Sequence, residues 1–338
     1  MRLIKAMTAA GIFMLAAQGA QAATTLETVR ERGVLHCGTT TGFAGFSAPD
    51  NTGAWKGLDV DLCRAVAAAA LGDSNKFKIV PLNAQQRFTA LQSGEIDVLT
   101  RNTSVTMERD AGMGLLHAGI NFYDGQGFIV PKSLGVKSAT ELQGATICMQ
   151  SGTNENTLAD WARAHNVTYT PLVIETFNEV VNAFAAGRCD VYSTDASGLA
   201  SIRISRLKNP DDYVVLPEII SKEPLGPFVR QGDDTWLNVV KWSLYAMIEA
   251  EEYGITSQNV DEQTKSDNPL VRRLLGAVPG AGKSLGLDDQ WAYRIIKQVG
   301  NYGESFDRTV GKDSPLQIPR GLNAQWKDGG LMYALPIR

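Results

Sequence analysis

The chain has 338 residues, of which 44% are apolar and 20% are charged, and its formal net charge is −4. This composition is ordinary for a globular protein and leaves room for two lobes with sizeable cores. It excludes the strongly basic surface by which proteins bind nucleic acid or anionic membranes, so we expect neither partner.

The N-terminus has the pattern of a cleavable signal peptide. Two basic residues at positions 2 and 5 precede an apolar stretch over residues 7–17, and Ala20-Gln21-Ala22 has the small-x-small form of a signal peptidase site. The stretch is too short to span a membrane, and no later segment reaches the roughly 18 to 20 apolar residues that a span needs. We therefore expect a signal peptide over residues 1–22, export to the periplasm, and no insertion of the mature chain into the membrane.

From residue 33 onward, the pattern predicts alternating strands and helices bounded by glycines. Strands are predicted over residues 33–38, 77–82 and 96–99. A helix that begins at Leu58 separates the first two strands, and a helix through Phe88 and Leu91, ended by Gly94, separates the last two. The order is βαβαβ.

The same order recurs later in the chain. Strands are predicted over residues 145–149, 169–174 and 189–192, with helices over 154–165 and 179–186 between them. Residues 90–98 and 183–191 match in helix end, glycine and strand start at a spacing of 93 residues. Chance similarity between ordinary αβ turns is the alternative reading of this short match. Because ligands bind outside the carboxyl ends of strands in open α/β sheets, two such lobes would enclose a binding cleft between them.

Four cysteines follow the predicted cleavage site, and an even number in an oxidising compartment favours disulfides over a metal or catalytic site. We expect Cys37 to pair with Cys63 and Cys148 with Cys189. Each pair falls within one predicted lobe, and Cys148 and Cys189 lie on strands that could be neighbours. Four buried free thiols are the alternative.

Several segments resemble a known family, the polar amino-acid type of extracellular solute-binding protein, family 3. They occur in the family's order and cover essentially the whole mature chain: GLDVDLCRAV (57–66), FTALQSGEIDV (88–98), YDGQG (123–127), GRCD (187–190), TD (194–195) and KQVGNYGE (297–304). Within the family, the chain looks closest to the general L-amino-acid binding proteins, which share the long tail.

The resemblance implies an α/β type II periplasmic-binding fold with two lobes and a hinge of two crossings. The first lobe is expected over residues 23–129 plus 225–338 and the second over 130–224. The crossings are expected near residues 127–131 and 217–226, and the region from about Val271 is expected to pack on the first lobe.

A buried amino-acid zwitterion needs a cation for its carboxylate and an anion for its ammonium, because burying either charge unpaired costs several kcal/mol. By the family pattern, Arg109 binds the carboxylate, since its planar fork suits a bidentate pair, and Asp195 binds the ammonium. Read without the family, Arg109 could be a solvated surface residue and Asp195 a helix N-cap.

Other residues of the family pattern complete the expected site. Ser104 would add a hydroxyl to the carboxylate, and the backbone N–H groups of Thr153 and Asn154 would form an anion-binding helix N-terminus, unless they serve capping alone. Asn102 could offer its carbonyl, although serine is more usual there. Phe43 matches the aromatic that stacks over the ligand side chain, whereas Phe46 is expected in the core.

One departure from the family bears on the ligand. Many members that bind basic amino acids place a second aromatic just before the Phe88 helix, and here residues 83–87 read NAQQR. The expected aromatic sandwich is therefore incomplete, which argues against a dedicated cationic ligand. Arg87 and Gln126 could instead favour acidic or amide side chains.

Two segments resemble a nucleotide-binding motif and a hydrolase motif, but neither matches its pattern in full. Residues 276–284 (GAVPGAGKS) differ from a P-loop in the position of the first glycine and lack a clear preceding strand. Residues 282–286 (GKSLG) have the G-x-S-x-G form, but all three histidines precede them. The histidines have no metal-ligand spacing, so neither a metal nor a cofactor is expected.

Two functional classes remain. The first is a monomeric, non-enzymatic binder of free L-amino acids that closes like a hinge and delivers its ligand to the membrane permease of an ABC importer. The alternative is an exported enzyme on the same fold, such as a cyclic-amino-acid dehydratase. Such an enzyme would need a general acid or base over the substrate, and the sequence offers no strong candidate.

Overall fold

The computed structural model describes residues 23–337, so the predicted signal peptide lies outside the described residues. The elements up to the hinge are α1 (Thr25–Arg32), β1 (Leu35–Thr39), β2 (Ala48–Pro49), β3 (Trp55–Lys56), α2 (Leu58–Leu71), β4 (Phe77–Pro81), α3 (Gln86–Ser93), β5 (Val98–Leu99), β6 (Leu115–His117) and β7 (Phe122–Asp124). They are followed by β8 (Gln126–Pro131), β9 (Thr146–Gln150), α4 (Thr153–His165), β10 (Thr170–Ile174), α5 (Phe177–Ala185), β11 (Val191–Asp195), α6 (Ala196–Ser205) and β12 (Tyr213–Val215). The chain continues with β13 (Glu223–Leu225), β14 (Phe228–Arg230), α7 (Asp234–Glu252), α8 (Val260–Gln263), α9 (Pro269–Leu274), α10 (Trp291–Gln298) and α11 (Tyr302–Thr309).

Local sequence explains where the first helices begin and end. Thr24 and Glu27 form a capping box at the start of α1, which satisfies backbone N–H groups that have no partner inside the helix. The alanine-rich α2 ends at Gly72, which adopts the left-handed conformation (φ 78°) and returns its N–H to the Ala68 carbonyl.

Two five-stranded sheets of similar topology organise the described part of the chain. The first has the order β4-β1-β5-β14-β6 and the second β10-β9-β11-β8-β12. In each, three parallel strands are followed by two strands that join through antiparallel pairs. The matching segments 90–98 and 183–191 occupy equivalent positions, at the helix that leads into β5 and the helix that leads into β11. We call the first sheet with the helices packed on it lobe 1, and the second sheet with its helices lobe 2.

A two-stranded ribbon joins the lobes. Strand β7 pairs antiparallel with β13, in the register Asp124 to Glu223 and Phe122 to Leu225. The first crossing is therefore β7, a few residues before the expected position near 127–131. Strand β8 pairs along its length with β11 and β12, so residues 126–129, assigned to the first lobe from the sequence, lie in the second sheet. The second crossing, at β13, falls within the expected range of 217–226.

One disulfide lies in each lobe. Cys37 on β1 bonds Cys63 on α2, and Cys148 on β9 bonds Cys189, which is the pairing that the sequence analysis expects. Cys189 was expected on a strand, but it lies in the turn two residues before β11. Strands β9 and β11 are nonetheless neighbours, which brings the two cysteines together.

The region from Val271 onward packs on lobe 1. Buried side chains of α9, α10 and α11 share one core with α2 and α7, and they include Val271, Trp291, Ile295, Tyr302 and Phe306. The same region also contacts the hinge. Asn323 hydrogen-bonds both the N–H (2.7 Å) and the carbonyl (3.0 Å) of Tyr123 on β7, and the Tyr302 hydroxyl donates to the Asn121 carbonyl at 2.9 Å. Within residues 23–337 no helix combines the length and apolar character needed to cross a membrane.

Candidate functional site

A cavity of about 460 Å³ lies between the lobes at the carboxyl ends of the parallel strands of both sheets. Its wall on lobe 1 includes Thr40, Phe43, Arg87, Arg101, Asn102 and Ser104. Its wall on lobe 2 includes Ser151, Thr153, Asn154, Phe177, Glu179 and Asp195. This is the position at which open α/β sheets bind ligands.

Seven of the nine residues predicted to bind ligand line this cavity: Phe43, Arg87, Asn102, Ser104, Thr153, Asn154 and Asp195. The remaining two, Arg109 and Gln126, lie behind the wall. Arg101 was missed by the sequence analysis. Its position two residues after β5, where the sheet opens onto the cleft, is the signal that could have identified it.

Asp195 is the acidic group of the lobe 2 wall. It occupies the N-cap position of α6 without capping the helix, and its Oδ1 accepts a hydrogen bond from Asn154 Nδ2 at 3.2 Å. Burial raises the pKa of Asp195 to about 8, and the nearby carboxylates of Asp124 and Glu223 act in the same direction. A carboxylate in this setting gains strongly from a cation placed beside it.

Arg109 lies in a single turn of π-helix over residues 108–112 and reaches the cavity wall from behind. Its Nη1 donates to the Ser104 carbonyl at 2.8 Å, and its Nη2 to the Thr153 hydroxyl at 2.5 Å. Burial lowers its pKa, although Glu223 and Glu108 nearby oppose the shift. The Arg109 guanidinium therefore does not line the cavity itself. It connects the two walls through Ser104 on lobe 1 and Thr153 on lobe 2.

Gln126 was expected to contact the ligand, but its side chain does not line the cavity. Its side chain is fully buried, and Nε2 donates to the Asn154 carbonyl and to the Ser193 hydroxyl, both at 2.9 Å. These bonds turn the amide towards the first turn of α4, so Gln126 supports Asn154 from behind.

The N-terminus of α4 is favourable for an anion. This helix begins at Thr153, and the N–H groups of its first turn have no partner within the helix.

Ser104 has its hydroxyl directed to a carboxylate on the hinge. It donates to Glu223 on β13, whose other oxygen accepts from the Ser221 hydroxyl at 2.9 Å. A hydroxyl has one proton, so Ser104 can offer a ligand only an acceptor. The role expected for Ser104, a hydroxyl donated to a carboxylate of the ligand, would require this hydroxyl to leave Glu223.

Glu223 and Asp124 face each other across the hinge ribbon, and neither was identified from the sequence. Burial raises the pKa of Asp124 to about 6, while the Ser197 hydroxyl, which donates to this carboxylate, lowers it. Two acidic side chains of the hinge therefore lie close enough to influence Asp195.

Two aromatic rings from opposite lobes meet at the cavity. Phe43 stacks on Phe46 at 5.0 Å between ring centroids and meets the edge of Phe177 at 5.6 Å. Phe46 is fully buried, in agreement with its expected place in the core. Phe177, at the start of α5, supplies a second aromatic wall from lobe 2. The second aromatic had been sought at residues 83–87 of lobe 1, where the sequence has none.

Within residues 23–337, no group of three or more His, Cys, Asp or Glu side chains is arranged to hold a metal ion. Asn102 lies in the same loop as Arg101, with its N–H donated to Asp59 Oδ2 at 2.9 Å. Its Oδ1 has no hydrogen-bond partner in the described part of the chain. The polar groups that line the cavity include both cationic and anionic side chains, so they can form hydrogen bonds and ion pairs with a small charged molecule.

Comparison with known proteins identifies the family. Residues 35–259 match the model of the bacterial extracellular solute-binding proteins, family 3. The general L-amino acid-binding periplasmic protein AapJ of Rhizobium johnstonii is 54% identical over 100% of this chain and 99% of its own length. The glutamate/glutamine/aspartate/asparagine-binding protein BztA of Rhodobacter capsulatus is 55% identical over 95% of each chain.

A solved structure extends the comparison. An ABC transporter periplasmic binding protein from Brucella ovis with glutathione bound superposes with a TM-score of 0.92 and 55% identity, over 94% of this chain and 100% of that chain. The likeness covers both lobes and the C-terminal region.

Proposed function

Because the chain belongs to the bacterial extracellular solute-binding proteins of family 3, we propose that it captures free L-amino acids between its lobes and delivers them to the membrane permease of an ABC importer. The observation that carries this proposal is the charge arrangement of the cavity. A buried carboxylate on lobe 2, Asp195, lies in the same small cavity as Ser104 and Thr153, to which the Arg109 guanidinium is hydrogen-bonded. Opposite charges at a fixed separation are what a zwitterion needs.

In the proposed complex, Asp195 binds the ligand ammonium, with the Ser104 oxygen and the Asn102 side-chain oxygen as further acceptors. Arg109 and the N–H groups at the start of α4 bind the α-carboxylate. Ser104 and Thr153, the two hydrogen-bond partners of the guanidinium, both line the cavity, so a small movement brings Arg109 to a ligand there. Phe43 and Phe177 enclose the aliphatic part of the ligand.

The ligand class that we propose is broad, with a preference for acidic and amide side chains. Arg87 lines the cavity and supports this preference, whereas Gln126 acts indirectly through Asn154. The relatives AapJ and BztA carry names that refer to general L-amino acids and to glutamate, glutamine, aspartate and asparagine.

Binding without catalysis is the function that the site supports best. The relatives described above are named as binding proteins. An enzyme of the dehydratase kind would need a general acid or base beyond the charge clamp. Asp195, whose pKa is raised to about 8, is already required by the ammonium.

The proposal includes the cellular location, the oligomeric state and the lobe boundaries of the protein. We place it in the periplasm as a monomer, with lobe 1 formed by the residues before β8 together with those from β13 onward, and lobe 2 formed by β8 to β12. The predicted signal peptide and the name of the relative AapJ support this location. Size-exclusion chromatography with light scattering tests the monomer.

A thermal-shift screen tests the proposed function. Protein unfolded and refolded to remove bound solute is screened against the twenty L-amino acids, sugars, metal ions and short peptides. A ligand at 100 times its dissociation constant stabilises the fold by about 2.7 kcal/mol. Stabilisation by L-amino acids supports the proposal, and mass spectrometry of the released ligand separates a binder, which returns it unchanged, from an enzyme. Folded protein that responds to none of the amino acids contradicts the proposal.

A further inference from the structure

We infer that Asn323, in the C-terminal region, is a positioning residue of the hinge. It holds β7 on lobe 1 as far as Tyr123, so that the lobes open and close by bending the chain only beyond this residue. The inference rests on the proposed function, because it concerns the closure of the same two lobes over a ligand. Residue 323 lies outside residues 35–259, the part of the chain that matches the family model.

The first support is a pair of hydrogen bonds between Asn323 and the backbone of β7. Asn323 Oδ1 accepts from the Tyr123 N–H at 2.7 Å, and Nδ2 donates to the Tyr123 carbonyl at 3.0 Å. On β13, the residue opposite Tyr123 is Pro224, which has no N–H to donate. The Asn323 amide therefore takes the place of a strand residue at the other edge of β7, and it is only 3% exposed there.

The segment that carries Asn323 is itself fixed to α7. Arg320 forms two hydrogen bonds with the Glu251 carboxylate, at 2.8 and 3.1 Å, and its Nε donates to the Asn323 carbonyl at 3.0 Å. Gln325 Nε2 donates to the Ile248 carbonyl at 3.1 Å and to Glu251 Oε2 at 3.0 Å. Residues on both sides of Asn323 are thus bound to one helix of lobe 1, so Asn323 has a firm base from which to hold β7.

Helix α11 adds two contacts with the same stretch of chain. The Tyr302 hydroxyl donates to the Asn121 carbonyl at 2.9 Å, and the Phe306 ring stacks on the Phe122 ring with 6.0 Å between centroids. Together with the Asn323 amide, these contacts hold three consecutive residues of the first crossing on lobe 1.

The second crossing is held on lobe 1 up to the matching position. The Pro224 carbonyl accepts from the Val105 N–H at 2.8 Å, and the Leu225 carbonyl accepts from the Asn121 N–H at 2.7 Å. Pro224 is the residue that pairs with Tyr123. Both strands of the hinge ribbon are therefore attached to lobe 1 as far as the same pair of residues.

The residues that follow Tyr123 are attached to lobe 2. The Asp124 carboxylate accepts from the Ser197 hydroxyl, and the Gly125 carbonyl accepts from the Ala196 N–H at 2.8 Å. Both donors belong to the first turn of α6. The attachment changes from lobe 1 to lobe 2 between residues 123 and 124, so the backbone at this point is where the first crossing bends.

A fixed bending point limits the conformations of the ligand-free protein. Without the Asn323 amide, the N–H and the carbonyl of Tyr123 would lose their partners, and β7 would be free to bend at more than one residue. A bound ligand holds the two lobes together, so the added freedom belongs to the open form and is lost on closure. Loss of the Asn323 contact should therefore weaken the binding of every ligand by the same factor.

Distances between the lobes test the inference. Wild type and Asn323→Ala would each carry one fluorescent label on either lobe, attached at Lys78→Cys and Arg163→Cys, which are exposed positions. The described part of the chain has no free cysteine that would also react. In single-molecule energy transfer, ligand-free Asn323→Ala should show a broader distribution of inter-lobe distances than wild type. With L-glutamate bound, both should narrow to the same distance.

Calorimetric titration separates an effect on the hinge from an effect on the cavity. The affinities of Asn323→Ala for L-glutamate and L-alanine should fall by the same factor, about threefold or more, so that their ratio stays at the wild-type value. Loss of a ligand contact would change this ratio. Tyr302→Phe removes only the hydroxyl that bonds Asn121, and it should act in the same direction. This second variant carries the test if Asn323→Ala does not fold.

Asn259→Ala is the matched control. The Asn259 amide also accepts from a backbone N–H at 2.7 Å and donates to a backbone carbonyl at 3.0 Å, but these groups belong to Thr256 and Gly254, outside the hinge ribbon. The control should lose thermal stability without a change in the distribution of inter-lobe distances or in either affinity.

The outcomes separate this inference from the proposed function. A distribution in Asn323→Ala equal to that of wild type, or equal broadening in Asn259→Ala, overturns the role of Asn323 while amino-acid binding stands. A changed ratio of glutamate to alanine affinity also overturns it, because a hinge contact acts on all ligands alike. Wild-type protein whose inter-lobe distance responds to no L-amino acid contradicts the proposed function itself. Thermal unfolding of each variant verifies that it is folded.

Discussion

Arg109 of lobe 1 donates a hydrogen bond through Nη2 to the Thr153 hydroxyl of lobe 2, with 2.5 Å between the two atoms. Thr153 is the first residue of α4, so the guanidinium lies beside the N-terminus of this helix. Both groups favour an anion at the same place, which is where we assign the α-carboxylate.

Replacement of Arg109 by alanine should weaken amino-acid binding strongly. The loss of hydrogen bonds to a charged group corresponds to about 2 kcal/mol, or roughly thirtyfold in the dissociation constant. Thr153→Val is the matched control, because it removes the contact between the lobes and keeps the cation. Titration calorimetry should show a much smaller loss for the control, and unchanged affinity in Arg109→Ala would remove Arg109 from the site.

Binding of an amino acid should release a proton from Asp195. Burial raises the pKa of this carboxyl from 3.8 to about 8, whereas a bound ammonium requires the ionised form. Affinity should therefore rise between about pH 6 and about pH 8 and level off above the pKa. Calorimetry in buffers of different ionisation enthalpy counts the released protons.

Asp195→Asn is the control for this pH dependence. The variant should bind amino acids weakly, with no rise in affinity over the same range. A wild-type affinity that does not change with pH, with no proton released, would contradict the assignment. The raised pKa of Asp195 also makes the stability of the ligand-free protein depend on pH. Since the folded protein binds this proton more tightly than the unfolded chain, Asp195 lowers the stability of the ligand-free protein as the pH rises from about 4 to about 8.

The sequence predicts the sheets and the loops of the site because hydrophobic periodicity and glycines mark where each strand and helix ends. Strand ends in turn locate the cleft, whereas Asp195 and Ser104 were assigned to it from the resemblance to the family. The run of buried residues at 126–130 does not reveal which sheet it joins, so the first crossing was placed too late. That choice depends on pairing with β11 and β12, which are distant in sequence.

Residues whose role arises from long-range contact are the ones that the sequence analysis missed. Glu223 meets Ser104 across 119 positions, and no local motif connects them. Arg101 reads as one charged residue among several, and only the folded protein shows that it is buried beside Arg87 without an ion pair. Periodicity carries no information about such pairs.

Glu223 sets the direction of the Ser104 hydroxyl, and its replacement by glutamine should change what Ser104 offers the ligand. The amide Nε2 can donate to Ser104 and free the hydroxyl proton, which would then point a donor at the ligand ammonium. Affinity for L-glutamate should fall by about tenfold, a loss on the scale of one hydrogen bond to a charged group. Glutarate, which lacks the ammonium, should lose much less in a competition assay.

Ser104→Ala provides the comparison for this pair. If Glu223 acts through Ser104, the double variant should lose little more than either single variant, because the second change removes nothing further. Additive losses, or equal losses for glutamate and glutarate, would mean that Glu223 supports the hinge without orienting the hydroxyl.

The two disulfides should each contribute to stability through the chain that they close. Cys37 and Cys63 are separated by 26 positions, and Cys148 and Cys189 by 41. Loop-closure entropy for such separations corresponds to about 3 to 4 kcal/mol per bond. Replacement of both cysteines of a pair by alanine should therefore lower the urea midpoint, and the variant should lose less than wild type when a reductant is added. Midpoints that stay equal to wild type under oxidising conditions would show that these bonds contribute little to the stability of the folded protein.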